Sequence, residues 1–280
     1  MITYKKDAYG EGPLSRDKEA ERHRLCALTA TLDPVSMKVL DTVGVRRGWH
    51  CLEIGSGTGT MAQYLLGRVG PGGRVVATEL DPGLLTTAGA CGAEVLRHDV
   101  VEDDFPAGHF DLVHARCVFE HIDRRFREAT LAKVVRWLKP GGRLVVEAAG
   151  FESERPDRSS TVGRAVDIVS RFFAEVMGTD LHWPRTLGPT MASLGLQDVD
   201  VTRSRMVVGR HGPADQVMVL TLRQNESELI GSGLLDEGFV DRLERHLDGA
   251  GAPESMSTLY SVSGRKPVPA RSGTGTEGVE

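Results

Sequence analysis

A chain of 280 residues with 40% hydrophobic content is long enough for one large domain or one and a half, and apolar enough for a core. A formal net charge of −5 with both signs interspersed speaks against non-specific binding to nucleic acid. No apolar run approaches the roughly 18 residues of a membrane span, and Met1 to Asp7 lacks the apolar stretch of a signal peptide, so a cytoplasmic protein is expected.

Residues 1 to about 14 are polar and glycine-containing. The spacing of Leu25, Leu28 and Leu32 predicts a helix from Ser15 to Leu32. Asp33 as a cap and Pro34 in a first turn predict a second one to Val43. Cys51-Leu52-Glu53-Ile54 reads as a short strand, followed by Gly55-Ser56-Gly57-Thr58-Gly59 and a helical stretch from Met61 to Leu66. Further strands are expected at Arg74–Glu79, Ala93–Asp99, Phe110–Arg116 and Arg143–Ala148, with helices at Gly83–Ala90 and Phe126–Leu138 between them. Strand and helix alternate at βαβ spacing and the strands are nearly continuous apolar runs. That pattern means a parallel sheet covered on both faces.

The polar loop 151–160 breaks the alternation. Thr161–Met177 then predicts an amphipathic helix whose stripe includes Val162, Val166, Val169, Phe172 and Phe173. A helix at Pro184–Leu194, a strand at Gln197–Val208, helical pieces over 213–248 and a last strand at Thr258–Arg265 follow, and the Pro- and Gly-rich tail from Lys266 is expected to be disordered. Cys26, Cys51, Cys91 and Cys117 lie far apart without a C-x-x-C pair, so buried reduced thiols are expected. No Cys/His set has metal-ligand spacing, and no metal is expected.

The glycine turn is the chemical centre of the chain. Glycines at alternate positions between a strand and a helix take positive φ and let a ligand approach the backbone. Such turns at the carboxyl ends of parallel strands are where open α/β sheets bind nucleotide-like ligands. A dinucleotide fingerprint would need Gly or Ala where Thr60 stands, and no Gly-Lys-Ser/Thr follows for a phosphate loop. The spacing is instead Glu-x-Gly-x-Gly-x-Gly, with Glu53 two residues ahead of Gly55.

This stretch resembles motif I of the class I S-adenosylmethionine (SAM) dependent methyltransferases. The resemblance extends over residues about 48 to 148. It takes in Glu79 after the second strand, His98-Asp99-Val100 after the third, His114-Ala115-Arg116 at the fourth and Lys139-Pro140-Gly141-Gly142 before the fifth. It implies an α/β, doubly wound, mostly parallel seven-stranded sheet with SAM as cofactor. N-terminal lid helices would occupy 1–44, the methyltransferase domain 45–265 with helical insertions about 151–183 and 209–256, and the tail 266–280.

The implied cofactor contacts are Glu53, Gly55, Ser56, Gly57 and Gly59 at the turn, and Glu79 with the neighbouring Leu80 at the ribose diol. Asp99 with the Val100 amide would meet the adenine, and Ala115 with Arg116 the amino-acid end, where the guanidinium would pair with the carboxylate. Asp81, which competes with Glu79, is better suited to capping a helix. His121 would stand near the transferred methyl, with a pKa close enough to neutrality to take a proton from a hydroxyl. His182, Trp183, Phe172 and Phe173 are candidates for an acceptor pocket, with core packing the stronger reading for the aromatics. Asn-Pro-Pro-Tyr-type motifs of amino-directed nucleic-acid methyltransferases are absent, Ala115-Arg116-Cys117-Val118 standing there instead. The expected activity is methyl transfer by in-line displacement to an O (or N) of a small organic molecule of the secondary-metabolite kind; the alternatives are a macromolecule-directed methyltransferase and a SAM-binding regulatory protein that transfers nothing. The expected partner is that acceptor, with no nucleic acid and no membrane.

Overall fold

Apolar β-branched runs that pack on both faces build the centre of the molecule. The computed structural model describes residues 14, 17–84, 92–151, 158–249 and 253–269. Five parallel strands are β1 (His50–Ile54), β2 (Arg74–Glu79), β3 (Glu94–Arg97), β4 (Phe110–Arg116) and β5 (Leu138–Gly150). β6 (Gln197–Val208) and β7 (Glu254–Arg265) complete a seven-stranded sheet of order β3-β2-β1-β4-β5-β7-β6, with β7 antiparallel to both its neighbours. The order reverses between β1 and β4, which puts a crevice at their carboxyl ends.

Alternation along the strands sends successive residues to opposite faces. Leu52, Ile54, Val113, Ala115, Leu144 and Val146 meet Leu131, Val134 and Trp137 of α3 (Arg124–Trp137), with Leu187 and Met191 of α5 (Leu187–Ser193). On the other face Cys51, Ala77, Leu112 and Val145 meet α2 (Thr60–Val69) through Met61, Ala62 and Leu65, and α1 (Lys18–Val43) through Leu40. Trp137 is wholly buried, and removing an aromatic of that size from such a core costs about 3–5 kcal/mol.

Where two N-terminal helices are expected, one continuous helix runs through Pro34. Pro34 forfeits one backbone bond. Leu25 and Leu32 before it and Ser36 and Leu40 after it are all buried, and their packing holds both halves on one axis. The 161–177 helix is also modified: α4 (Thr161–Arg171) opens into a π-turn over Phe172–Val176. α4 packs with α6 (Pro213–Gln224), α7 (Glu226–Gly231) and α8 (Phe239–Leu247) in an apolar cluster of its own, beyond the sheet. A 3₁₀ turn at Trp183–Thr186 leads into α5, so the helix expected from Pro184 begins in that tighter form. Of the helix expected at 83–90, Gly83 and Leu84 belong to a 3₁₀ turn over Pro82–Leu84, and the rest lies outside the described residues, as do Cys91 and the tail beyond 269. Lys266, expected to open a disordered tail, is instead held by backbone bonds to Gly141 and Gly142; Cys26 is exposed, Cys51 buried.

A buried polar chain crosses the α1 face. Glu53 Oε2 lies 2.6 Å from His114 Nδ1, and His114 Nε2 lies 3.1 Å from Glu147 Oε2. Ser261 donates its hydroxyl to the other Glu147 oxygen. Burial alone would lower the His114 pKa. The two carboxylates outweigh it and raise the pKa to about 9, so an imidazolium donates to both. The same partnership holds the Glu147 carboxyl below its usual range against its burial.

Candidate active site

The glycine turn adopts the conformation its composition dictates. Gly55, Gly57 and Gly59 take φ of +64°, +55° and +86°, a region costly to any residue with a Cβ. A Cβ at Gly55 would lie 2.3 Å from Val118 Cγ2, whereas one at Gly57 would meet nothing within 4 Å. Gly55 is therefore required by the β4 exit packed against it, and Gly57 marks open space over the turn. The Ser56 amide donates to Thr78 O and ties the turn to β2.

Glu79 closes the other side. Its Oε1 accepts from the Gly57 amide and its Oε2 from the Leu80 amide, both at 2.9 Å. Burial pushes its pKa up, against the pull of those two amides. The structure thus brings Glu79 and Gly57 together, with exposed Leu80 beside them. Three hydroxyl oxygens around the turn, on Ser56, Thr58 and Thr60, are buried without a hydrogen-bond partner. Unpartnered polar atoms beside an open backbone suit a polar ligand such as the amino-acid and ribose parts of SAM.

At the tip of β3, Asp99 accepts the Val101 amide at 2.8 Å, and its own amide donates to Asp103. Val100 is buried at the same strand end. Asp81 caps locally, accepting from the Gly83 amide, and pairs with Lys18.

Two residues expected at the cofactor have other partners in the fold. Glu53 is buried against His114 on the α1 face, as described. The Arg116 guanidinium, expected to meet a ligand carboxylate, instead pairs with Asp33 at 2.8 Å and donates to Ser36 Oγ at 3.0 Å, anchoring α1 to β4. The sequence held no sign of this, because Asp33 and Ser36 lie some 80 positions away. Ala115 is buried at the end of β4, beside β1.

Past β4 the chain turns at Cys117, a non-glycine residue at φ +55°, and forms a 3₁₀ turn over Phe119–His121. This turn borders a largely apolar cavity of about 120 Å³ under the helical cluster. Leu28, Val166, Val169, Phe173, Met218 and Met256 contribute its apolar walls, and Arg24, Glu120, His121 and Thr221 its polar groups. Of the aromatic candidates only Phe173 lines it. Phe172 is buried in the cluster, Trp183 stacks on Phe119, and His182 is exposed beside Arg185.

His121, expected near a transferred methyl, lines the cavity, and its chemistry differs from that expected. Its Nδ1 lies 2.8 Å from the hydroxyl of Thr179, which the π-turn delivers. Burial, with Arg24 and Arg127 adding to it, lowers its pKa to about 4. Next to it, Glu120 was not foreseen. It is buried, Oε1 accepts the Ala149 amide at 2.9 Å, and Oε2 has no hydrogen-bond partner. Its burial raises the pKa to about 7. A lone acid in an exit loop has no periodicity to mark it, and only the closure of the cavity gives it meaning.

Residues 52–146 match a family model described as a methyltransferase domain. A ubiquinone/menaquinone biosynthesis C-methyltransferase from Pseudomonas savastanoi pv. phaseolicola is 31% identical over 147 residues, which cover 50% of this chain and 55% of that protein. The chain thus spans about half the length of the curated relatives it matches. Among solved structures, a phosphoethanolamine N-methyltransferase from Haemonchus contortus in complex with S-adenosyl-L-methionine superposes with a TM-score of 0.63. It is 16% identical and covers 95% of this chain and 60% of that one. The [4+2]-cyclase SpnF superposes with a TM-score of 0.51 at 15% identity, covering 83% of this chain and 81% of that one. The glycine turn and the acid that faces it from the tip of β2 thus both lie within the stretch that matches a methyltransferase domain, on a 3-2-1-4-5-7-6 sheet whose fold is shared with solved methyltransferase structures.

Proposed function

We propose that the chain moves a methyl group from SAM to an oxygen or nitrogen of a small, apolar organic acceptor held in the cavity beyond β4. One observation carries this reading: the cofactor turn and the cavity share a wall. Val118 packs on Gly55, and Cys117, the preceding residue, lines the cavity. The two sites are thus joined through consecutive residues of the β4 exit.

In this reading Gly55, Ser56, Gly57 and Gly59 hold the cofactor's amino-acid end, with Ala115 beside them, and the Ser56, Thr58 and Thr60 hydroxyls gain the partners they lack. Glu79 takes the ribose hydroxyls, with Leu80 covering them, and Asp99 and Val100 face the adenine. Bound SAM supplies an activated methyl on a positive sulfonium. The chain itself then needs mainly to hold the acceptor close, aligned and away from water. α1 contributes Arg24 and Leu28 to one wall, which fits a lid role for this helix; α4 and α6 supply the opposite wall. The similar proteins include a C-methyltransferase and an N-methyltransferase, and the [4+2]-cyclase SpnF shares the fold, so the atom methylated and transfer itself are what an assay must read.

The test is calorimetry with SAM and with S-adenosylhomocysteine, then incubation of the full chain with labelled SAM and pools of small organic molecules, read by mass spectrometry for a one-methylene gain. Micromolar binding with a methylated product is expected. Absence of nucleoside binding at millimolar concentration overturns the reading.

A further inference from the structure

We propose, building on that reading, that Glu120 is the catalytic base of this site, taking the proton from the hydroxyl of an apolar, single-ring acceptor of the phenol or enol type. Three observations converge on it. Glu120 is the one carboxylate lining the cavity among the described residues. One of its oxygens is fixed by the Ala149 amide, while the other is buried with no N–H or O–H donor on it and only the weakly donating Cys117 thiol beside the carboxyl, an arrangement that costs stability unless a ligand completes it. And the cavity, at about 120 Å³, is comparable with the roughly 150 Å³ apolar cavity known to take a benzene, which sets the size of the reacting part at about one ring.

The other groups in the cavity are poorly placed for the task. His121 is held neutral with a pKa near 4, and its Nδ1 is engaged by Thr179. Burial keeps the Cys117 thiol protonated. Arg24 of α1 is paired with Glu21. From α3, Arg127 reaches the Glu120 and Ile122 carbonyls and pairs with Asp180, so its charge is shared before it meets the Glu120 carboxyl. What remains is a carboxyl whose burial lifts its pKa to about 7, near where a general base is most effective. Such a base is within about 3 units of a phenol at about 10, a gap that the proton transfer can bridge as the methyl moves.

The step balances as follows. The acceptor O–H bond breaks and its proton passes to Glu120 Oε2. The oxygen pair so released forms the new bond to the methyl carbon as the carbon–sulfur bond breaks, and that pair stays on sulfur. Glu120 then returns the proton to solvent.

The test uses the full chain, alone and with S-adenosylhomocysteine in excess, and three probes, 4-methylphenol, toluene and 4-methylbenzylamine, titrated by calorimetry from pH 5.5 to 8.5. The expected result is 4-methylphenol bound about 10- to 100-fold tighter than toluene, the worth of one hydrogen bond to a charged group. That advantage should grow as pH rises through about 7, where Glu120 ionises. Glu120→Gln keeps the Ala149 bond but cannot ionise, and should flatten the pH dependence; Glu120→Leu should abolish the preference. Equal binding of toluene by the native chain overturns the proposal, as does tighter binding of the amine, or a preference that survives in Glu120→Leu. If no nucleoside binds yet the phenol preference still depends on Glu120, methyl transfer falls and the hydroxyl site stands; if nucleoside binds and the preference is absent, the reverse holds.

Discussion

At the scale of single residues, the site rests on two glycines that do different work. Gly57 leaves its space open to a ligand, and Gly55 leaves its space to Val118. Gly55→Ala therefore adds a clash to a left-handed strain of about 1–2 kcal/mol, with overpacking of about 1–3 kcal/mol more. The double variant with Val118→Ala should recover the overpacking part and none of the strain, and urea denaturation separates the two. Glu79→Ala should leave the fold standing, since the Gly57 and Leu80 amides it releases lie at a half-exposed edge. It should weaken SAM about 10- to 100-fold in calorimetry, the loss of one charge-assisted bond of about 1.5–3 kcal/mol. An unchanged Kd would remove Glu79 from the cofactor site.

Among elements, the contact between α1 and the sheet is the one most dependent on charge. His114 carries a proton between Glu53 and Glu147, and Arg116 ties β4 to Asp33 and Ser36 of α1. Because the folded-state pKa of His114 lies above its free value of 6.5, at about 9, the stability it contributes is complete below pH 6.5. It is lost as pH rises through about 9. Denaturation midpoints of the native chain should fall across that window. His114→Leu should lack this slope and lose about 3–5 kcal/mol at neutral pH, because two buried carboxylates are then left without their cation. A midpoint that is flat from pH 6 to 9.5 in the native chain would contradict a protonated His114.

For the molecule as a whole, the sheet and the helical cluster meet over the carboxyl edge, so ligand binding and global stability are coupled. S-adenosylhomocysteine at a hundred times its Kd should add about 2.7 kcal/mol. For a chain of this size that is a rise in Tm of roughly 5–10 °C by calorimetric scan. Glu79→Ala at the same nucleoside concentration should lose about half of the rise or more. A shift of equal size with adenosine alone would mean that the amino-acid end of the turn contributes nothing.

What could be read from the chain alone was what depends on near neighbours. Alternating glycines dictate a turn with positive φ wherever they fall, and apolar β-branched runs at βαβ spacing dictate a covered parallel sheet. The strands and the Gly55–Gly59 turn were legible for that reason. Pro34 misled for the same reason: its local signal is a helix start, and only burial on both sides of it makes one helix. Contacts between distant segments were not legible. Arg116 and Glu53 bear the spacing of cofactor residues, but Asp33 and His114 claim them across the fold. Likewise the opposite displacements of His121 and Glu120, side by side in sequence, arise from burial by α1, α4, α6 and β7. Proton affinity depends on desolvation and on charges brought near, and neither exists until the chain has closed around the cavity.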